Sequence, residues 1–533
     1  MSAVVIRDLK LDFLPGRPEE KTAVLINPPV YDTQYWSEWA QSAGLLRIGA
    51  WLKKSGYRRV ELFDFLETDA ARRVPRHRIN PDEEYSEPGK EPASPIRPLV
   101  IAKGTDELRL YKHHFGKTWR QMEEWLDAQG FTPHNPPDEV WISAVMTYWW
   151  EAVRDLVARL KHRFGSRTTV ILGGVYPTLV PGHAAAMTGA DVVVSGEVEG
   201  ASDLWPDLSL YEKPPAYAII TPNRGCIYDC SYCAQRLLNS GRRVRRRPPA
   251  DVVAEMYYQY ETFGIREFAF YADALLHDYE NGFQRILELL VEKRAPFRLY
   301  APEGLDVTSL SRSQYLFDLM KAAHLEKIYL PLESFSQEKL TRLGRKHVRL
   351  ENFVQAAKMA EAAGYRLRNL EVNAFVLYGL PEERIEEVVQ TIIFASETVG
   401  SIIPMLFAPV PGTRIYDAYL PYIKERGWDK DLHMLNGKLY PFLELNEGSL
   451  ADYIDLQRLM FTLNAHYRSR SFQLFGPTRV SRAFRELLTD GFGAVINQYT
   501  ERAGDTDKTY REGVTGDGEG FCQEAAISPA KTG

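Results

Sequence analysis

Between residues 20 and 200 the chain alternates short, continuous apolar runs with stretches whose apolar residues return every three or four positions. Ala23-Val24-Leu25-Ile26-Asn27 is one such run, closed by Pro28-Pro29. A strand apolar on both faces is what a parallel sheet buries between helical layers. Leu45, Ile48 and Leu52 recur at helical spacing up to Gly56, a natural helix end, and Arg59–Asp64 resumes as a strand. Val140–Met146 reads as the next strand, followed by a helix carrying Val153, Leu156, Val157 and Leu160. The strand Thr169–Leu172 ends at Gly173-Gly174, and the strand Ala190–Val194 is followed by Ser195-Gly196-Glu197. Five strands alternating with helices predict an α/β fold with a doubly wound, Rossmann-like parallel sheet, whose ligand crevice lies beyond the C-terminal strand ends. Ser143, Thr147, Gly173, Gly174, Gly196 and Glu197 fall at that edge.

Residues 66–137 interrupt the alternation as an insertion, proline-rich through Pro95–Pro98 and helical around Trp119–Leu126. Loops of that length are usually functional or mobile. The adjacent His113 and His114 point to different faces of any regular element and read as packing residues, not ligands. Leu204–Pro215 reads as a linker. Six further strands follow at Tyr217–Thr221, Glu267–Tyr271, Phe297–Ala301, Lys327–Leu332, Glu371–Leu377 and Ile402–Ala408, with helices between them. Six βα units predict a partial parallel barrel with its functional groups at the C-terminal strand ends. Beyond Tyr416 the chain turns helical and aromatic, with an amphipathic run from Tyr453 to Tyr467, and from Gly504 it has the composition of a disordered tail. The expected division is residues 1–205, a linker at 206–215, a partial barrel at 216–415, a mostly helical region at 416–503 and a flexible tail at 504–533.

A chain of 533 residues with 45% hydrophobic content can fill about three domains. Its net charge of −6 argues against a generic nucleic-acid surface. The one basic run, Arg242–Arg247, is short, stops at Pro248-Pro249 and reads as a solvated loop. No apolar run is long enough to span a membrane, and Met1–Asp8 lacks the features of a signal peptide, so a cytoplasmic protein without a membrane partner is expected.

Candidate chemistry is concentrated in Cys226-Ile227-Tyr228-Asp229-Cys230-Ser231-Tyr232-Cys233, which holds three of the four cysteines. Thiolates select soft metals and iron-sulfur clusters. A closed zinc site needs a fourth protein ligand, and the nearest downstream histidine is His277. A 4Fe-4S cubane held by three thiolates instead leaves one iron open, while a zinc or redox CxxC site is the competing reading. Three clustered thiols and the isolated Cys522 make no disulfide framework, which suits a reducing compartment. Cys522 is read as neither a ligand nor a radical quencher.

The spacing C-x3-C-x2-C with Tyr232 before the last cysteine resembles the radical S-adenosylmethionine (SAM) superfamily. The resemblance implies that Cys226, Cys230 and Cys233 hold a 4Fe-4S cluster whose fourth iron chelates SAM. An electron from an external donor, such as flavodoxin or ferredoxin, then cleaves SAM to methionine and a 5′-deoxyadenosyl radical. Phe270-Tyr271-Ala272-Asp273 stands where the family carries an acidic motif, which gives Asp273 the role of holding the SAM amino group, although Ala272 replaces the usual preceding acid. Tyr329–Ser334 matches the fourth strand and makes Glu333 a second SAM contact, with Pro331 in place of a common glycine. Leu377–Glu383 and Pro409–Thr413 match the ends of the fifth and sixth strands, and Leu343-Gly344-Arg345 reads as a structural element of the family.

Residues 20–205 are in turn similar to the N-terminal domain of cobalamin-binding radical SAM enzymes, through Leu172–Thr178 and Asp191–Gly200. Glycines at strand ends let a macrocycle and its nucleotide tail approach the backbone. The Asp-x-His-x-x-Gly sequence that supplies a cobalt-ligating histidine in other cobalamin domains is replaced by Asn27–Asp32. The resemblance therefore implies cobalamin without a histidine lower ligand, or a domain that has lost the cofactor. The implied activity is a cobalamin-dependent radical SAM methyltransferase acting on an unactivated carbon of a small-molecule or natural-product substrate. The alternative is a non-methylating cyclisation, oxidation or rearrangement with cobalamin as redox partner or absent. A tRNA methylthiotransferase is disfavoured, because only Cys522 remains for the second three-cysteine cluster of that group.

Overall fold

A computed structural model describes residues 3–10, 16–33, 35, 41–67, 97–104, 106–239, 241 and 243–469. The strands of its first half are β1 (Val4–Leu9), β2 (Thr22–Asn27), β3 (Val30–Asp32), β4 (Arg59–Asp64), β5 (Arg97–Lys103), β6 (Asp106–Phe115), β7 (Glu139–Ser143), β8 (Thr169–Gly173) and β9 (Val192–Val198). Six of them form one sheet in the order β1-β9-β8-β7-β2-β4, parallel throughout. All six residues of β2 are buried, as the unbroken apolar run requires of a central strand with helices on both faces. Counted along the chain without β1, the order is second, first, third, fourth, fifth, and it reverses between β2 and β7. A doubly wound sheet opens its ligand crevice at that switch point.

Two expectations change here. The lead-in, for which no strand was expected, is β1, and it pairs with β9 from Val4↔Val192 to Leu9↔Val198. That extra neighbour carries β9 on to Val198, so Gly196 and Glu197 lie inside a strand and not in a loop after it. The insertion also has structure of its own. Residues 68–96 lie outside the described residues, but β5 and β6 form an antiparallel hairpin, and β6 pairs with β3 just beyond the end of β2. The helix expected near Trp119 spans Trp119–Ala128, started by a reciprocal Thr118–Gln121 capping box. His114 is buried beside Tyr31, Phe65 and Trp119, with Nε2 against the Lys117 carbonyl at 2.9 Å. Burial lowers its pKa to about 4, which agrees with a packing role.

The second half carries β10 (Ala218–Ile220), β11 (Asn223–Arg224), β12 (Arg245–Arg246), β13 (Glu267–Phe270), β14 (Arg298–Tyr300), β15 (Ile328–Glu333), β16 (Val372–Tyr378) and β17 (Ile402–Leu406). All six expected barrel strands form, but as two parallel triplets, β10-β13-β14 and β15-β16-β17, and not as one continuous sheet. The residues just before β15 make the connection. Leu299 NH donates to the His324 carbonyl and Glu326 NH to the Leu299 carbonyl, both at 2.9 Å, before the chain leaves β14 to begin β15.

The C-terminal region is helical at Arg414–Ala418, Leu420–Glu425 and Leu450–Ser469, and residues 470–533, with Cys522, lie outside the described residues. This region straps both sheets. Asp32, fully buried just after β2, accepts from Trp149 Nε1 at 2.8 Å and Asn436 Nδ2 at 3.0 Å and pairs with Lys438 Nζ at 3.1 Å. Burial opposes its ionisation, but Lys438, Trp149 and His433 outweigh that cost and hold its pKa below the usual carboxylate value. No described helix is long and apolar enough to cross a membrane.

A second tie joins the two sheets. Glu197 of β9 receives Arg245 Nη1 of β12 at 2.9 Å and Arg224 Nη1 of β11 at 3.2 Å. The Arg245 hydrogen bond is the largest influence on Glu197; with help from Arg224, and against the effect of burial, it lowers the carboxyl to about 2. A depressed carboxylate stabilises the fold above its unfolded pKa, about 4.3, and loses that contribution as the pH falls towards the folded value. Glu197→Gln should therefore lower the melting temperature at neutral pH. Melting curves of the variant and the parent should converge as the pH is taken from about 4 towards about 2.

Candidate functional site

The three cysteines lie on one loop whose ends are pinned together. Residues 225–244 leave from β11 and return on β12, and these pair antiparallel through Asn223↔Arg246 and Arg224↔Arg245. Later segments hold the loop from outside. Ser231 NH donates to the Leu343 carbonyl at 2.8 Å and Ile415 NH donates to the Ser231 carbonyl at 3.1 Å, while within the loop Arg236 Nη1 reaches Asp229 Oδ1 at 2.7 Å. Gly344, at φ +75°, packs against the Asp229 carbonyl so closely that a Cβ would overlap it. All three cysteines are free and half-buried. Burial raises each thiol, Cys233 to about 12, so the loop stays protonated until a metal displaces the protons. Among the described residues no three Cys, His, Asp or Glu groups converge on a single point as ligands of one ion. Three free thiols on one loop, with no fourth protein ligand converging on them among the described residues, are the donor chemistry a 4Fe-4S cluster would use.

A buried network backs the loop. Arg345, read from sequence as structural, extends Nη1 to Tyr232 OH at 3.2 Å and to Cys230 Sγ at 3.8 Å, and Nη2 to the Pro331 carbonyl at 3.1 Å. Glu333 Oε1 lies 4.0 Å from the same guanidinium and accepts from Tyr232 OH at 3.3 Å. Burial raises the Glu333 carboxyl, opposed by Arg345 and Tyr232. The Glu333 backbone sits at φ +65°, where the β15–β16 register shifts between Pro331 and Glu333. Such irregularities re-aim side chains beside functional sites, and a left-handed backbone at a non-glycine residue persists only when its surroundings enforce it.

Asp273, just after β13, lies on the opposite side of the loop. Its Oδ2 accepts Gly225 NH at 2.6 Å and Asn239 Nδ2 at 3.0 Å, so it orients the backbone next to Cys226. Burial raises its carboxyl against those two donors. Facing it is Glu303, from the loop after β14, which sequence reasoning did not single out. Glu303 is exposed, yet desolvation by surrounding protein followed by the Asp273 charge pushes its carboxyl up to about 7. Such perturbed carboxyls cluster at functional sites.

The residues expected at the crevice of the first sheet are brought together, but largely by one another. Ser143 of β7 pairs with Gly173 of β8. Gly174, at φ +104°, leaves only 2.5 Å between an imagined Cβ and the Ala144 carbonyl, so protein backbone already fills the space that its hydrogen frees. Gly196 NH donates to Thr178 Oγ1 at 3.0 Å, and Glu197 NH donates to Asp8 Oδ1 at 3.0 Å. Thr147 is buried at the start of a 3-10 turn. Its neighbours Val145 and Met146 are 43% and 40% exposed at the switch point, an unusual cost for two apolar side chains side by side.

Removing one member of a buried ion pair leaves the other desolvated, at a cost of about 3–5 kcal/mol. Arg345→Met should therefore destabilise the chain on that scale in denaturant unfolding, and adding Glu333→Leu should recover part of the loss.

Residues 220–392 match the radical SAM superfamily. The chain is 26% identical over 208 residues to an uncharacterized methyltransferase of Pyrococcus horikoshii, covering 38% of this chain and 41% of that one. It is 27% identical over 265 residues to the cytidylyl-2-hydroxyethylphosphonate methyltransferase of Streptomyces wedmorensis, covering 48% and 47%. The chain thus spans about half the length of these curated relatives. Among solved structures, the radical S-adenosylmethionine methyltransferase TsrM of Kitasatospora setae, with tryptophan and a SAM analogue bound, superposes with a TM-score of 0.49 at 14% identity over 76% of each chain. The cysteine loop at the head of the strand triplets lies within the residues, 220–392, that match the radical SAM superfamily.

Proposed function

We propose that this protein is a cobalamin-dependent radical SAM methyltransferase that transfers a methyl group to an unactivated carbon of a small molecule. The observation that carries the reading is the three-thiol loop held against Arg345 and Glu333 on one side and bonded to Asp273 on the other, with Glu333 and Asp273 at the C-terminal ends of parallel strands. A 4Fe-4S cluster bound there supplies the electron that cleaves SAM, and methylcobalamin supplies the methyl group. The chain's own residues bind and orient. Cys226, Cys230 and Cys233 hold the cluster. Asp273 commits Oδ2 to the cysteine loop, so Oδ1 is the oxygen offered to a ligand ammonium group, and Glu333 presents a second carboxylate from across the loop.

Cobalamin is supported at the first sheet by the switch point between β2 and β7 and by the exposed apolar pair Val145 and Met146, a suitable floor for a flat macrocycle. Ser143, Thr147, Gly173, Gly174, Gly196 and Glu197 shape the same edge from behind. The segment after β2 offers no imidazole, and its polar side chains are already engaged, Asn27 with Asp64 at 2.7 Å and Asp32 with the C-terminal region. Cobalt would therefore lack a nitrogen ligand from this segment. Methyl transfer is further supported by the two curated relatives, both named methyltransferases.

In anaerobic assays with SAM and reductant, Cys226→Ala, Cys230→Ala and Cys233→Ala should each abolish 5′-deoxyadenosine formation, while Cys522→Ala leaves it nearly intact. With the true substrate, S-adenosylhomocysteine and 5′-deoxyadenosine should accumulate in step with methylated product. Deoxyadenosine without S-adenosylhomocysteine or methyl gain sinks the methyltransferase reading in favour of a non-methylating reaction.

Protein produced with ample cobalamin should bind about one corrinoid per chain with the cofactor's own base displaced and no histidine on cobalt, and EPR of its cob(II)alamin form should then lack hyperfine splitting from a coordinating nitrogen. Such splitting would contradict the reading of the β2 segment.

A further inference from the structure

An electron has to reach the cysteine loop from outside the chain, and the outer surface of that loop differs from the rest of this acidic protein. The net charge is −6. Yet the turn that braces the loop carries Arg342, Lys346 and Arg349, all exposed and none in an ion pair among the described residues. Arg236 and Arg414, also exposed, flank the same surface and are already paired with Asp229. Between these cations the loop exposes Ile227 and Leu237, 40% and 43% accessible, with Leu237 beside Gly412 near Arg414.

The position of this patch matters more than its charge. Lys346 lies between two residues that touch the loop: Arg345, 3.8 Å from Cys230 Sγ, and His347, whose ring stacks on Tyr228 at 3.7 Å between centroids and 3° between planes. Tyr228 OH is in turn fixed by Asp306 Oδ2 at 3.2 Å, and the His347 carbonyl by Thr308 Oγ1 at 2.8 Å. The cationic turn is thus rigidly coupled to the loop. An apolar centre within a charged rim is the anatomy of a protein interface, and unpaired exposed cations steer an oppositely charged partner at long range.

We propose that Arg342, Lys346 and Arg349, around Ile227 and Leu237, form the docking surface for a small acidic one-electron carrier protein that reduces the cluster. This rests on the radical SAM reading above. The transfer is one electron: the reduced carrier is oxidised by one equivalent, the cluster gains that electron, and no proton or group crosses the interface.

The test uses the full chain, flavodoxin as the acidic probe, and a triple variant, Arg342→Glu, Lys346→Glu and Arg349→Glu. None of the three residues contacts a cysteine, Asp273 or Glu333 in the geometry described above. The first readout is binding of oxidised flavodoxin by calorimetry, which needs no turnover. The parent should bind, its affinity should fall steeply between about 0.05 and about 0.5 M salt, and the variant should bind about tenfold or more weakly. The second is 5′-deoxyadenosine formation driven by flavodoxin hydroquinone or by dithionite, a small anion that needs no docking surface. The variant should lose about tenfold or more of the flavodoxin-driven rate and keep the dithionite-driven rate within about twofold. Unchanged flavodoxin binding in the variant overturns the proposal, and so does an equal loss with both reductants, since that marks a structural role. If dithionite yields no deoxyadenosine even in the parent, the radical SAM reading itself fails, and the calorimetry still decides the docking surface.

Discussion

A guanidinium taken out of water has to find acceptors in fixed places, and Arg345 makes that demand at the centre of this protein. Its partners come from two separate parts of the chain: Tyr232 and Cys230 from the cysteine loop, and the Pro331 carbonyl and Glu333 from β15. Any shift of the loop relative to β15 would leave a buried charge without a partner, which costs several kcal/mol. The irregularity in β15 and the left-handed Glu333 backbone follow from the same demand, since the strand gives up regular pairing there to present its carboxylate. The ionic network therefore sets where the thiols stand.

The rest of the molecule holds that arrangement against the first sheet. Glu197 takes two arginines from the base of the cysteine loop, and Asp32 takes a tryptophan, an asparagine and a lysine from the elements packed over the end of β2. Both acids are ionised because cationic partners outweigh desolvation, and both sit at the C-terminal edge of the sheet. The apolar pair Val145 and Met146 is left facing outwards at the same edge. The chemistry proposed above requires two cofactors within reach of one substrate, and the helix Val175–Leu179 after β8 packs against Gln235–Leu238 of the cysteine loop.

The candidate site was legible in part. Cys226, Cys230 and Cys233 stood out because three thiols in one short loop have few other uses, and Asp273 and Glu333 because they occupy strand ends in register with that loop. Glu197 was expected in a loop after its strand, whereas it lies inside β9 and pairs with Arg224 and with Arg245 of a run expected to be solvated. Gly174 and Gly196 looked like room for a ligand, whereas Ala144 and Asp8 sit against them. Glu303 escaped notice, and Arg345 was read only as a structural element, because one long charged side chain carries no pattern, and its partners appear only when distant segments meet.

Periodicity by itself determined the eleven predicted strands and their parallel pairing, because alternating apolar runs and amphipathic helices have few other ways to bury their faces. The cysteine spacing, a local feature, singled out the candidate site without help from periodicity. What periodicity missed depends on neighbours distant in sequence. The lead-in Val4–Leu9 has little apolar pattern of its own and becomes a strand because β9 offers an unpaired edge. The six barrel strands divide into two triplets because residues 324–326 take the place beside β14. Which acids are ionised, which glycines are crowded and which arginine touches a thiol were decided only by the tertiary structure, because desolvation and ion pairing depend on distance in space and not on distance along the chain.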